Sequence, residues 1–374
     1  MKEVKNSIIA TALFVSSCSY AVAADLNVWN WSDYINAETV PNFEKATGID
    51  TNYVLFDSNE LVEARLLSGS SGFDACMMTS YYVPRLAKAG ALEKIDKTKI
   101  PNWSELDEKR MKLLATLDPN NDYAYPYTEI SVGIGYNKEK IAEIFGPDYK
   151  VDSWDFLFKK ENSDKLKKCG IAVLDSPIEI VSTVMHFLGK DPSSENSADY
   201  QQAKEILTLF ASNVAYFHSS RYINDLASGE ICVAVGYSGD ILQAADRAKH
   251  ANQGNTIDFV FPKEGGLLWF DCWTIPKGAK NKENAYKWFN YLMDKDVASK
   301  ISNEIRYILP IKSAIDNLDD ELKNNPNVNL SEEMYSKAYF PQPTTSKVSR
   351  ITNRIWNSMK LNSSSIDEEG ADWN

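Results

Sequence analysis

From residue 26 onward, short apolar runs alternate with segments whose apolar positions recur at helical spacing. LNVWN (26–30) reads as a strand, and AETVPNFEKATG (37–48) as a short helix closed by Gly48. DTNYVLF (50–56) is a second strand. DSNE (57–60) has capping-box spacing and opens the helix NELVEARLLSG (59–69). FDACMM (73–78) and YVPRLAKAG (82–90) repeat the pair. Such alternation predicts a parallel sheet with helices on its faces, and a cleft at the carboxyl ends of its strands. AYPYTEISVGIGYNKEKI (124–141) is extended and enters a helix near Lys138. A second α/β unit follows through KKCGIAVLDSP (167–177) and GEICVAVGYSGD (229–240), and NTIDFVFPKEGG (255–266) leaves it. These two long extended segments are expected to be paired crossovers between two lobes. LLWFDCWTIP (267–276) is then a strand, NKENAYKWFNYLM (281–293) a helix, and residues 313–360 are expected to be mainly helical.

The first 24 residues break this pattern. Lys2 and Lys5 precede an apolar run, Ile8 to Val15, too short to span a bilayer. Ala21-Val22-Ala23 then has the small-residue pattern of a signal-peptidase site, so residues 1–24 are expected to be a signal peptide. Val15-Ser16-Ser17-Cys18 also resembles a lipoprotein box, which makes lipid anchoring at Cys18 the alternative. The remaining chain, about 350 residues, suffices for two domains with substantial cores. The net charge of −12 becomes more negative once Lys2, Lys5 and Glu3 are removed. That argues against nucleic acid as a partner, since phosphate binding needs a basic surface. Cys76, Cys169, Cys232 and Cys272 follow no zinc spacing, and spacing alone leaves three complete disulfide pairings open.

Four clusters combine aromatics with acids: Trp31-Ser32-Asp33-Tyr34, Ser176-Pro177-Ile178-Glu179, Tyr237-Ser238-Gly239-Asp240 and Trp269-Phe270-Asp271. Three follow predicted strands. In the fourth, alternation puts Trp269, Asp271 and Trp273 on one strand face. Each has a plainer reading: Asp33 as a turn cap, Ser176 and Glu179 as a helix start, Asp240 as a helix-dipole partner, the aromatics as core. Asp271 resists most, because an acid in mid-strand is expensive to bury without a partner. Carboxylates at both ends of an aromatic trough suit a linear polycation. Acids accept the ammonium groups, and ring faces cover the methylenes and attract the charge.

The motifs NWSDYI, FEKATGI, FDSNE, GIGYN, VDSWD, YINDLASGEICVAVGYSGD and PKEGG resemble the polyamine-binding proteins of bacterial ABC transporters, over nearly the whole mature chain. The resemblance implies a type II periplasmic-binding-protein-like α/β fold of two lobes closing on a ligand. Its expected divisions are 25–132 with 262–312 as lobe 1, 133–261 as lobe 2, and 313–374 as C-terminal helices ending in a mobile acidic tail. It implies a site of Ser32, Asp33, Tyr34, Thr79, Tyr81, Tyr82, Glu179, Tyr237, Asp240, Trp269, Asp271 and Tyr307, with Asp271 as the main amine anchor. Glu179 would face an amine as well as start its helix. Cys169 and Cys232 match a family disulfide, leaving Cys76 and Cys272 as thiols. No metal or cofactor is implied; the expected partners are a polyamine and a membrane permease complex, for a periplasmic monomer. Asp33 and Asp240 look like putrescine-preferring members. Tyr81, Tyr82 and Trp269 look like spermidine-preferring ones, and spermidine is expected to be favoured.

Two other classes compete. A secreted hydrolase could use Asp240 and Asp271 as a carboxylate pair, but no G-x-S-x-G, HExxH or P-loop accompanies them, and His186, His218 and His250 are scattered. A polyamine sensor without a transport role would share the same pocket and differ in its surface partner.

Overall fold

The computed structural model describes residues 24–69 and 71–364. The expected signal peptide up to residue 23, Cys18 and the tail from 365 onward lie outside the described residues. Among those described, no helix is long and apolar enough to cross a membrane.

Among the described residues, ten strands form one continuous sheet: β1 (Leu26–Trp31), β2 (Thr51–Phe56), β3 (Ala75–Thr79), β4 (Leu92–Glu93), β5 (Ala124–Asn137), β6 (Ile171–Val173), β7 (Tyr216–Phe217), β8 (Val233–Tyr237), β9 (Ile257–Val260) and β10 (Leu268–Pro276). Their order is β2-β1-β3-β10-β5-β8-β6-β7, with β4 also on β10 and β9 also on β5. The sheet is mixed, not the parallel one expected. β1 pairs parallel with β2 and β3, and β6 with β7 and β8. Between these groups β10 and β5 run antiparallel to their neighbours. β5 carries the chain from one half to the other, while β10 pairs only with β3, β4 and the first part of β5.

β5 belongs to both halves. Its residues 124–131 pair with β10, and its residues 132–137 pair with β8 and β9. The Val132 amide donates to the Leu267 carbonyl at 3.1 Å, where the chain returns from β9 to β10. β9 ends at Val260, so the return itself is a loop and not a second long strand.

Helices cover both faces. The helix Lys282–Leu292 buries Trp288 and Phe289 against Trp273 of β10. Full burial of each such side chain contributes about 1.5–3 kcal/mol. The helix Asn59–Leu67 is capped by Ser58, whose hydroxyl accepts from the Leu61 amide at 3.2 Å. The cap therefore falls one residue after the Asp57 that the DSNE pattern suggested. Residues 313–345 hold only short helical turns, and a long helix appears only at Ser346–Ser364. Pro326, Pro341 and Pro343 interrupt the stretch expected to be helical. Cys169 and Cys232 form a disulfide between the turn before β6 and the approach to β8, while Cys76 and Cys272 are buried thiols.

Candidate functional site

A cleft of about 880 Å³ opens at the strand ends and draws its walls from both halves of the sheet. The wall of the first lobe is built on adjacent strands. Asp271 stands opposite Thr79 in the antiparallel register of β10 and β3. The Thr79 hydroxyl donates to Asp271 Oδ1 at 2.8 Å. Asn59 Nδ2 donates to that same hydroxyl at 2.9 Å, so the threonine's one hydrogen is committed to the carboxylate. Burial pushes the Asp271 carboxyl up to about 6, against the pull of donors on Thr79, Tyr34, Trp31 and Trp269. Asp271 thus has the partners that an acid in mid-strand requires. Trp273, two residues on, does not line the cleft; it packs against Tyr127, Trp288 and Phe289.

The acids of the second lobe sit on helix N-termini. Glu179 is the third residue of the helix Pro177–Phe187, and Asp240 the third of Ser238–Ala251. The helix dipole favours a carboxylate at such positions. Tyr237 donates to Glu179 Oε2 at 2.9 Å. Tyr307 and Tyr222 each donate to Asp240 at 2.9 Å, one to each oxygen. Burial pushes Glu179 up to about 7, helped by Asp271 and Glu60 and opposed by Tyr237 and Ser176. Asp240 is pushed up to about 6 by burial, opposed by Tyr307, Tyr222 and Arg247. Ser176 is the N-cap residue and Pro177 and Glu179 open the helix, as the helix-start reading expected, but the serine side chain makes no capping bond and Glu179 also lines the cleft.

Rings fill the space between the acids. Trp269 meets Tyr81 and Tyr237 edge-on, with centroids 6.3 and 5.9 Å apart. Tyr34 meets Tyr307 at 5.6 Å, and its hydroxyl bonds Thr128. Tyr307 reaches Asp240 because the next residue back in that helix is bare. A Cβ at Gly239 would lie 2.3 Å from the Tyr307 ring.

Ser32, Tyr34, Thr79, Tyr81, Tyr82, Glu179, Tyr237, Asp240, Trp269, Asp271 and Tyr307 all line the cleft. Asp33 does not. It is exposed, with left-handed backbone (φ 52°) in the turn after β1, and acts on the site only by raising Asp240. The sequence reading missed Glu60 and Glu63, which also line the cleft; Glu60 accepts from the Tyr82 hydroxyl at 2.8 Å. Their spacing in NELVE was visible but was absorbed into the reading of a helix start. It missed His218 and the C-terminal residues Thr344, Ser349 and Asn353 as well. For these no local signal exists, since they reach the cleft through chain packing alone.

A two-lobed α/β fold with its polar cleft between the lobes defines a class of binding protein, and residues 38–329 match the family described as bacterial extracellular solute-binding protein. The chain belongs to that family. Among its relatives, the putrescine-binding periplasmic protein PotF of Escherichia coli is 42% identical over 95% of this chain and 97% of its own length. The putrescine-binding periplasmic protein SpuD of Pseudomonas aeruginosa is 41% identical over 96% of this chain and 99% of its own length. The crystal structure of the spermidine/putrescine ABC transporter substrate-binding protein PotD from Streptococcus pneumoniae shares the type II fold. It superposes with a TM-score of 0.77 at 23% identity, covering 90% of this chain and 99% of that one. These relatives are binding proteins and not enzymes, and nothing in the comparisons favours the two-carboxylate hydrolase.

Proposed function

We propose that this chain captures a short polyamine by closing its lobes and hands it to an ABC permease from the periplasm. The observation that carries this reading is the convergence of Asp271, Glu179 and Asp240 from opposite lobes on one aromatic-walled cleft. Each acid is already held by hydroxyl donors. An ammonium group entering the cleft exchanges its water for carboxylates that make no salt bridge among the described residues, while Trp269, Tyr81 and Tyr237 cover the carbon chain. Contacts supplied by both lobes exist only in the closed form, and that difference in affinity is what drives closure.

Among polyamines, the names of PotF and SpuD support putrescine. This shifts the balance away from the spermidine preference expected from the aromatic count. Spermidine remains as a second reading because Glu60, bonded to Tyr82, continues the line of acids past Glu179. Calorimetric titration with putrescine and with spermidine tests both readings. Stoichiometric binding of either supports a polyamine site, and the tighter one names the preference. Failure of both to bind at millimolar concentration sinks the proposal.

A further inference from the structure

Tyr222 lies behind the cleft wall. It is fully buried in the helix Tyr222–Ser228, and it is not among the residues that line the cavity. Its hydroxyl nevertheless touches two parts of the wall at once. It bonds Asp240 Oδ2 at 2.9 Å and the Tyr237 amide at 3.1 Å. A backbone amide can only donate, so the phenol oxygen accepts there and its single hydrogen is committed to the carboxylate. The ring itself is fixed by packing, for a Cβ at Gly236 would lie 2.6 Å from it. One atom therefore ties the end of β8, which carries the Tyr237 ring, to the first turn of the next helix, which carries Asp240. The other charged and titratable groups acting on Asp240 are Tyr307, Arg247 and Asp33.

We propose that Tyr222 is a positioning residue for cation binding: it holds the Asp240 carboxylate and the Tyr237 wall in a single arrangement, so that the second lobe presents both already aligned. The inference rests on Asp240 accepting an amine of the ligand. Without the hydroxyl, Asp240 keeps one protein donor, turns more freely and takes up a proton more readily.

The test is calorimetric titration of putrescine into wild type, Tyr222→Phe, Asp240→Asn and the double variant, across about pH 8 to 5.5. Phenylalanine keeps the ring over Gly236. Tyr222→Phe should weaken binding about tenfold or more at the upper pH, as loss of a hydrogen bond to a charged group does. The pH at which affinity falls should also move upward, because the ionised form of Asp240 has lost a donor. In the Asp240→Asn background the same change should alter affinity little, since the two act as one unit. Incorporation of 3,5-difluorotyrosine at 222, a stronger donor, should move the pH response the opposite way, and it covers the case in which Tyr222→Phe does not fold. Unchanged affinity in Tyr222→Phe overturns the proposal. So does equal weakening in both backgrounds with no movement of the pH response, which would leave Tyr222 a packing residue only. Wild-type affinity in Asp240→Asn is a separate result that removes the amine-acceptor reading of that acid.

Discussion

The two walls of the cleft hold their acids by different means. Asp271 is set in the middle of β10, where hydrogen-bonded ladders to β3 and β5 run along both sides and Thr79 sits directly across. Glu179 and Asp240 occupy the first turns of helices, and three tyrosine hydroxyls do the work that the threonine does opposite. One of those tyrosines, Tyr307, belongs to the chain beyond β10 and reaches across to Asp240. The strand-borne acid is held between two neighbouring strands, with a register shift against β5 just after it, whereas the helix-borne acids sit at the ends of elements. On the proposed reading, Asp271 is the fixed anchor and the second lobe completes the site as it closes.

That contrast can be broken most directly at the anchor. Asp271→Ala should cost about 3–5 kcal/mol of putrescine affinity, since an ammonium is then buried without its partner. Calorimetric affinity within tenfold of wild type would remove the anchor role. Opening the Cys169–Cys232 disulfide acts on the second lobe alone. Its loss should lower stability by about 2–4 kcal/mol in denaturant titration, with Asp271 and its ladder unaffected. Glu179→Gln should weaken binding by about 2 kcal/mol, less than Asp271→Ala, because glutamine still accepts from Tyr237. An equal or larger loss would reverse the ranking of the two walls.

The shifted carboxyls give the pH response its sign. All three take up protons more readily folded than unfolded, reaching about 6, 6 and 7 for Asp271, Asp240 and Glu179. The ligand-free protein should therefore lose stability as pH rises from about 4 through 7, while putrescine affinity falls as pH drops through the same values. Each carboxylate protonated changes affinity by up to tenfold, or about 1.4 kcal/mol, per pH unit. Calorimetry near pH 6.5 in buffers of different ionisation enthalpy should show protons released on binding; uptake would contradict the charge states assigned here. Thr79→Val makes the smallest change, about 1 kcal/mol, because Asp271 keeps other donors around it.

Much of this was legible in the residues. Strand and helix alternation is written into apolar spacing, and Asp271 announced itself as an acid in mid-strand with no cap to explain it. The antiparallel course of β5 and β10 was not legible, because pairing direction depends on where a strand lies in the sheet and not on its composition. Asp33 carried the same local pattern as the true wall residues, yet its left-handed turn leaves it outside the cleft. Asn353 and Thr344 come to the rim from a segment whose only sequence signal is the apolar face of its last helix. Glu60 failed for another reason: a first-turn glutamate satisfies the rule for helix starts, and a satisfied rule prompts no further question.

The bare backbone at Gly239 has a use beyond allowing a close approach. The Tyr307 ring packs directly on it on the way to Asp240, so the chain beyond β10 meets the first turn of the helix Ser238–Ala251 there with no side chain between them. A single methyl group at that point would act as a wedge. It would drive the Tyr307 ring away from Asp240, so that one small substitution would loosen the contact between the halves and the wall of the cleft together.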